Sequence, residues 1–195
     1  MNIIIRFTIF TLLALVLLPI KDASAQATDT PYQVGVVTDD LAKIDTSVVL
    51  TNSGASSTVA FPAQNGAICV NAYAMPAPGI AVTACCTCRV QPNGLRQFSV
   101  GKELLISQSS VPHTAVVKLM ASTGTGGICN AGTVGTGANV LVTGMLAWRT
   151  TPPLSSVLAF DKTSFVPSTL SAAELTALDS QCSTIGSRAC NSTCP

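Results

Sequence analysis

Charged side chains are scarce in this chain of 195 residues, of which only 10% are Asp, Glu, Lys or Arg. Ordinary soluble proteins contain about 25%. Ten basic and nine acidic residues leave a formal net charge of +1, which is too small to attract nucleic acid or an acidic membrane surface. Because 48% of the residues are hydrophobic, the composition also argues against intrinsic disorder. We therefore expect a folded protein that binds no nucleic acid.

Histidine and aromatic residues are also rare. His113 is the only histidine, which excludes a blue-copper site because such a site needs two histidine ligands. A Ser–His–Asp triad would have to use His113, and the chain contains no Gly-x-Ser-x-Gly nucleophile elbow. A hydrolase built on His113 stays open as an alternative, but a loop-edge histidine without a catalytic role is favoured. Aromatic residues make up 5% of the chain, which argues against a stacking platform for bases or sugars.

Long hydrophobic runs are lacking, with one exception near the N-terminus. An apolar segment follows Arg6 and extends from Phe7 to Ile20, and Ala23-Ser24-Ala25 then supplies small residues. This layout is typical of a secretory signal peptide. The segment is shorter than the ~20 residues that cross a bilayer, so an uncleaved anchor is the less favoured alternative. We predict a cleaved signal peptide over residues 1–25, a mature chain that begins at Gln26, and no membrane span after cleavage.

Cysteine, by contrast, is abundant, and all eight cysteines remain after removal of the first 25 residues. An exported chain folds in an oxidising compartment, where an even number of cysteines predicts disulfides. Three of the cysteines lie in the C-terminal tail, so at least one bridge must join the tail to the body if all are oxidised. The residues expected in disulfides are Cys69, Cys85, Cys86, Cys88, Cys129, Cys182, Cys190 and Cys194.

The segment Cys85-Cys86-Thr87-Cys88 holds three of these cysteines. If it is extended, Cys86 and Cys88 share one face and Cys85 points to the other, so Cys85 and Cys86 should have different partners. The same segment formally contains a Cys-x-x-Cys motif. A redox dithiol normally opens a helix, whereas the flanks here predict a strand. The tail also lacks the second Cys-x-x-Cys or the His-x-x-x-His that would complete a structural zinc site. A metal-binding or thiol-redox protein that uses this segment is therefore the less favoured, alternative function.

Carboxylates form no pair suited to acid–base catalysis. Asp39, Asp40 and Asp45 are close in sequence and could bind Ca²⁺, but they lack the alternating ligands and distal Glu of a calcium loop. Turn and capping roles are favoured for these three residues. We therefore predict no catalytic residue, no metal ligand and no cofactor.

Short segments rich in β-branched residues alternate with Gly and Pro turns. Their spacing favours a mainly β fold, an immunoglobulin-like or related β-sandwich stapled by disulfides. In one turn, Pro92-Asn93-Gly94, we expect Gly94 to supply the positive φ. We expect residues 122–137 to form a loop held by Cys129. The predicted strands are Tyr32–Thr38, Thr46–Asn52, Ser56–Phe61, Ala67–Met75, Ile80–Val90, Gln97–Ser107 (as one or two strands), His113–Ala121, Asn139–Thr150 and Leu154–Phe160.

The C-terminal part has a helical pattern. Ser171 followed by Glu174 matches a capping box, and Gly186 is a suitable stop. We predict one helix over Ala172–Thr184 that packs on the sheets through an apolar stripe of Leu170, Leu175, Leu178 and Cys182. The predicted organisation is a β-sandwich domain over residues 26–165, with the helix and the stapled tail of residues 166–195 packed on the same domain.

Neutral strands rich in Thr and Ser form edges that readily pair with other strands. Residues 26–38 could therefore act as a donor strand in self-assembly, but an ordinary first strand of the same domain is the favoured interpretation.

Three features in order along the chain carry a resemblance: the Cys85–Cys88 segment followed by Pro92-Asn93-Gly94-Leu95, the later Thr169–Leu175 segment, and the tail cysteines. Together they resemble a group of exported, cysteine-rich bacterial proteins of unknown function, over roughly residues 30–195. The resemblance implies export and disulfides and no known activity. We predict a non-enzymatic protein that is secreted, extracellular or periplasmic, or part of the cell envelope. Its expected role is structural, adhesive or binding, and its expected partner is a protein or surface, including copies of itself.

Overall fold

The computed structural model describes residues 30–38, 45–56, 66–105, 114–151 and 161–194. In this part of the chain ten strands form two sheets, and one α-helix follows near the C-terminus, which confirms the predicted fold class. The elements are β1 (Tyr32–Thr38), β2 (Ser47–Asn52), β3 (Ile68–Pro76), β4 (Ala84–Val90), β5 (Leu95–Ser99), β6 (Thr114–Ser122), β7 (Met145–Thr151), β8 (Asp161–Ser164), β9 (Val166–Pro167), α1 (Ala172–Ile185) and β10 (Arg188–Ala189).

The first sheet has six strands in the order β10-β4-β3-β6-β1-β9, and the second has four in the order β5-β2-β7-β8. Strand β10 runs parallel to β4, and the other described pairs are antiparallel. The chain passes from the second sheet to the first at Phe165, between β8 and β9. Strand β1 pairs with β6 along its whole length, from Tyr32 opposite Met120 to Thr38 opposite Thr114. Residues 32–38 are therefore an ordinary first strand of this sheet, as favoured above.

The main core lies between the two sheets. Alternate residues of each strand point into it, because side chains of an extended chain alternate between faces. Strand β2 supplies Val48 and Leu50, which are both fully buried. Further buried members of this core are Ile68, Val70, Ala72, Cys86, Cys88, Phe98, Val117, Leu119, Met145, Cys190 and Cys194.

A second core covers the opposite face of the first sheet. Helix α1 and the loop that follows β6 pack there, so residues 68–75 of β3 are buried without a break. Burial on both faces replaces the polar alternation that a half-exposed strand would show. The buried members of this second core are Tyr32, Tyr73, Met75, Val82, Cys85, Met120, Ala131, Val134, Leu178 and Cys182.

The predicted helix is confirmed, and it extends one residue further than expected, to Ile185. The Ser171 hydroxyl accepts a hydrogen bond from the Glu174 N–H at 3.1 Å, which satisfies one of the free amides of the first turn. Gly186 follows the last turn with φ of +88°, and its N–H donates to the Cys182 carbonyl. A residue without a Cβ tolerates this conformation at little cost.

The segment Gln97–Ser107 is not all strand. Strand β5 ends at Ser99, and Val100–Leu104 forms one π-helical turn. The Ser99 hydroxyl accepts from the Lys102 N–H at 3.0 Å, and the Ser99 N–H donates to the Glu103 carboxylate at 2.5 Å. These two reciprocal bonds give the backbone an alternative to the strand ladder.

The predicted strand Asn139–Thr150 is also too long, since the regular strand begins only at Met145. Asn139 is fully buried, and its side-chain oxygen accepts from the Gly124 N–H at 2.9 Å. Gly144 has φ of +111°, which interrupts an extended chain. The first residues of this segment therefore hold the preceding loop rather than extend the sheet, apart from one bridge between Leu141 and Ser122.

The turn after β4 is present, but the positive φ is at Asn93, with a value of 56°, rather than at the predicted Gly94. Gly94 is required for another reason, because a Cβ there would lie 2.8 Å from the Gln91 carbonyl oxygen. The predicted strand Ile80–Val90 is shorter at its start, since β4 begins at Ala84. Short strands β8, β9 and β10 were not predicted. The predicted strand Leu154–Phe160 lies outside the described residues, as does Ser56–Phe61 beyond Ser56.

Candidate functional site

The cysteine segment on β4 is the most heavily cross-linked part of the described structure. Its three cysteines form bridges with partners 97 to 106 residues further along the chain: Cys85–Cys182, Cys86–Cys190 and Cys88–Cys194. A fourth bridge, Cys69–Cys129, holds the loop after β6, as expected for that loop. Three bridges rather than a minimum of one therefore tie the C-terminal part to the body, and the disulfide prediction is confirmed.

The two faces of β4 explain this pairing. Cys86 and Cys88 point into the core between the sheets, where they meet the tail cysteines. Cys85 points to the other face and bonds to Cys182 of α1. The expected difference between Cys85 and its neighbours is thus confirmed, and one strand anchors the helix on one face and the tail on the other.

The tail is also held by hydrogen bonds. Strand β10 pairs with β4 at Arg188 and Ala189, and the Cys190 N–H donates to the Thr87 carbonyl at 2.9 Å. The Arg188 guanidinium donates to the Glu103 and Leu104 carbonyls of the π-helical turn at 2.9 and 2.8 Å. The tail therefore connects the outer edge of the first sheet with the second sheet.

None of the eight cysteines is free in this structure. A thiolate, which is the form that binds metals or attacks disulfides, arises here only after reduction of a bridge. Within the described ranges, no group of three or more His, Cys, Asp or Glu residues is arranged to hold a metal ion. The metal-binding alternative therefore has no ligand set among these residues.

Other residues considered above are either committed to contacts or lie outside the description. Asp45 accepts from the Ser99 hydroxyl at 2.6 Å and forms an ion pair with Lys102 at 3.1 Å. His113, Asp39 and Asp40 lie outside the described residues, together with the predicted signal peptide. No helix in the part of the chain described here has the length and apolar character needed to cross a membrane.

A polar cluster joins the start of α1 to the first sheet. The Tyr32 hydroxyl and the Lys118 ammonium both donate to Oε1 of Glu174, each at 2.6 Å. Burial acts to raise the pKa of Glu174, but the hydrogen bonds from Lys118 and Tyr32 outweigh it and hold the pKa below its ordinary value. Burial and the neighbouring carboxylate raise the pKa of Tyr32. At neutral pH the cluster is therefore a carboxylate held by one ammonium and one neutral phenol.

A second polar group lies deeper under the helix. The Tyr73 hydroxyl donates to the Ala131 carbonyl at 2.6 Å. Asp179 of α1 is 8% exposed, and its Oδ1 has no hydrogen-bond partner. Burial raises the pKa of Asp179 to about 6, although hydrogen bonds from Val134 and Tyr73 oppose the shift. Neither polar group was predicted from the sequence. The one available signal was the acidic residue Asp179, which lies beside Leu178 on the apolar stripe of the helix.

An apolar cleft of about 300 Å³ opens between β1 and the segment around Phe165 where the chain crosses from one sheet to the other. The Phe165 ring lies over Gly35, where a Cβ would be 2.7 Å from the ring. Val36 is 50% exposed and Val166 63% exposed. The Arg149 guanidinium spans the two sheets and donates to the Val36 carbonyl. The cleft offers apolar contacts and a guanidinium rather than a pair of acid and base groups.

Comparisons with known proteins give this geometry no counterpart: no family model, no curated protein and no solved structure matches the chain.

Proposed function

We propose that this chain is an exported, non-enzymatic protein of the extracellular space or the cell envelope, with a structural, adhesive or binding role. The observation that carries the proposal is the set of three disulfides from one strand segment to the helix and tail. Disulfides of this kind form and persist in oxidising compartments and are rare in the cytosol. The described fold is therefore suited to a non-cytoplasmic environment.

Other features support the same proposal. Each bridge closes a long loop and stabilises the fold by about 2–5 kcal/mol, a gain that a reducing compartment would remove. The N-terminal segment has the layout of a signal peptide, and the resemblance to exported, cysteine-rich bacterial proteins points the same way. The exposed apolar side chains of Val36 and Val166 are consistent with contacts to another surface.

The first experiment is the intact mass of the protein after expression of the full chain in a bacterial host. Free thiols are alkylated under denaturing conditions without reduction, and cell fractions and medium are compared. We expect a chain that begins at Gln26, carries no alkyl group and lacks eight hydrogens, as four bridges require. A matched variant without residues 1–25 should stay in the cytoplasm with alkylated cysteines. A full-length chain in the cytoplasm that carries alkyl groups would overturn the proposal.

The second experiment addresses the role. Purified oxidised protein is incubated with envelopes of the cells that produce it, and its retention and its oligomeric state are measured. We expect retention or self-association of the oxidised protein and neither property in the reduced, alkylated protein. If the purified protein instead hydrolyses a substrate and His113→Ala abolishes that activity, the hydrolase alternative replaces the proposal.

A further inference from the structure

Asp179 is a buried acid at the interface that holds helix α1 on the first sheet. It lies one turn before Cys182, the residue that bonds the helix to Cys85. The loop after β6 packs against the same side of the helix, where the Ser183 hydroxyl donates to the Gly132 carbonyl at 2.8 Å. The state of the Asp179 carboxyl therefore bears on three elements at once: the helix, the loop and strand β3.

Around this carboxyl there is one more hydrogen-bond acceptor than there are donor protons. The Val134 N–H and the Tyr73 hydroxyl both lie near enough to the carboxyl to lower its pKa, although burial outweighs them. That hydroxyl has a single proton, and the 2.6 Å bond to the Ala131 carbonyl uses it. Two acceptors thus compete for one donor, which agrees with the absence of a partner for Oδ1 of Asp179. A buried polar atom without a partner is costly, and more so when it carries charge.

A proton on Asp179 removes this conflict. The neutral carboxyl can donate to the Tyr73 oxygen, while Tyr73 continues to donate to Ala131, so each member of the chain has a donor or an acceptor to match. Tyr73 does not transfer its own proton to Asp179, because burial raises the pKa of the phenol and keeps it neutral. Protonation of Asp179 would therefore remove an unpaired buried charge from the place where the helix, β3 and the loop meet.

Nearby charged groups do not compensate Asp179 in the described structure. On the same face of the sheet, Lys118 lies opposite Tyr73 but its ammonium is bound to Glu174 at 2.6 Å. Glu174, on the same helix, is a further negative charge and cannot satisfy a carboxylate. Residues 131–137 of the loop contain no ionisable side chain. The carboxylate form of Asp179 is thus left without a cation.

We propose that Asp179 acts as a proton-operated latch, which holds helix α1 and the loop of residues 130–137 on the first sheet more tightly in a mildly acidic medium than at neutral pH. The sign follows from linkage. Burial raises the pKa of Asp179 to about 6 in the folded protein, above the ordinary Asp range of the unfolded chain. Folding then takes up a proton, so stability rises as the pH falls through 6 and stops rising below the ordinary Asp pKa.

The test compares thermal unfolding of the oxidised protein at about pH 7.5 and about pH 5, an interval that spans the proposed titration. His113 is the other side chain whose ordinary pKa falls in this interval, so both proteins carry His113→Asn. In this background we expect Tm to rise by about 2–8 °C on acidification. With Asp179→Asn added, Tm should be independent of pH and at least as high as in the parent at the upper pH. An equal pH dependence in both proteins would overturn the proposal.

A second measurement needs no variant, in case either substitution prevents folding. Hydrogen exchange of amides in residues 130–137 and 172–185 of the unmodified protein is followed at both pH values and corrected for intrinsic exchange. We expect stronger protection at the lower pH in these two segments and little change in strands β2 and β7, which lie in the other sheet. Protection that is uniform across the molecule, or unchanged, would overturn the proposal.

Discussion

Tyr32 and Glu174 are 142 residues apart in the chain, yet the Tyr32 hydroxyl donates to the Glu174 carboxylate at 2.6 Å. This bond joins the first strand of the described fold to the first turn of its helix. Lys118 of β6 donates to the same oxygen. The start of the helix is thus tied to two neighbouring strands through one carboxylate oxygen.

Replacement of Glu174 by Gln should lower the free energy of unfolding by about 1–2 kcal/mol at neutral pH, because it removes two charge-assisted hydrogen bonds at a partly exposed site. The folded-state pKa of Glu174 is lowered, so its contribution is present above the ordinary Glu range and is lost as the pH falls through the folded pKa. The measurement is urea unfolding of both proteins from about pH 7 to about pH 3, where the difference should shrink.

Asp161→Asn serves as the control for Glu174→Gln, because Asp161 is an exposed acid on β8. It should leave the free energy of unfolding within about 0.5 kcal/mol of the parent. A stability difference between Glu174→Gln and the parent that stays constant down to the acid end would contradict the assigned role.

Removal of one bridge should destabilise the fold by about 2–5 kcal/mol and should loosen the element that the bridge holds. In the double variant Cys85→Ser with Cys182→Ser, faster hydrogen exchange should appear in α1, since this bridge attaches the helix to β4. The matched variant Cys69→Ser with Cys129→Ser should affect the loop after β6 and leave α1 protected. Equal loss of helix protection in both variants would show that the bridges act only on global stability.

Substitution of two glycines in the loop that covers the second core would distinguish the cost of backbone strain from the cost of steric crowding. Gly135 and Gly137 both have positive φ, at +78° and +56°. A Cβ on Gly135 would lie 2.6 Å from Cδ2 of Leu175, whereas a Cβ on Gly137 would have nothing within 4 Å. Urea unfolding should therefore show a loss of about 1 kcal/mol for Gly137→Ala and a further 1–3 kcal/mol, roughly, for Gly135→Ala. Similar losses would mean that the end of the Leu175 side chain moves away from the new methyl group without cost.

Ser171→Ala tests the helix cap. The Ser171 hydroxyl accepts the bond from the Glu174 N–H at 3.1 Å, and its loss should cost about 0.5–2 kcal/mol. Ser180, which is exposed in the middle of the same helix, is the control, and Ser180→Ala should change stability by less than about 0.5 kcal/mol. Chemical unfolding measures both, and a smaller effect at Ser171 than at Ser180 would contradict the capping role.

Features that depend on a few neighbouring residues could be predicted from the sequence. The alternation of side chains in a strand placed Cys85 opposite to Cys86 and Cys88, and the structure confirms it. The capping pair Ser171 and Glu174 located the start of the helix because the relevant hydrogen bond spans three residues. Strands β1, β2, β3 and β6 also lie where β-branched residues and turn signals placed them.

Features that depend on distant contacts could not be predicted in this way. The backbone left the strand ladder where distant groups contribute hydrogen bonds. Arg188 donates to the carbonyls of the π-helical turn after Ser99, and the Gly124 N–H donates to the Asn139 side chain. Short strands such as β9 exist only because a partner strand lies beside them, and two residues carry no periodic signal.

The sequence by itself therefore determined the mainly β fold, the presence of disulfides, the two faces of the cysteine segment and the helix start, since each rests on local geometry or on composition. Tertiary structure alone decided which cysteines pair, because pairing requires the helix to reach one face of β4 and the tail to reach the other. It also decided the chemistry of Asp179, whose pKa is raised to about 6. An aspartate acquires that property when the fold buries it away from water, and here burial outweighs the opposing effect of Val134 and Tyr73.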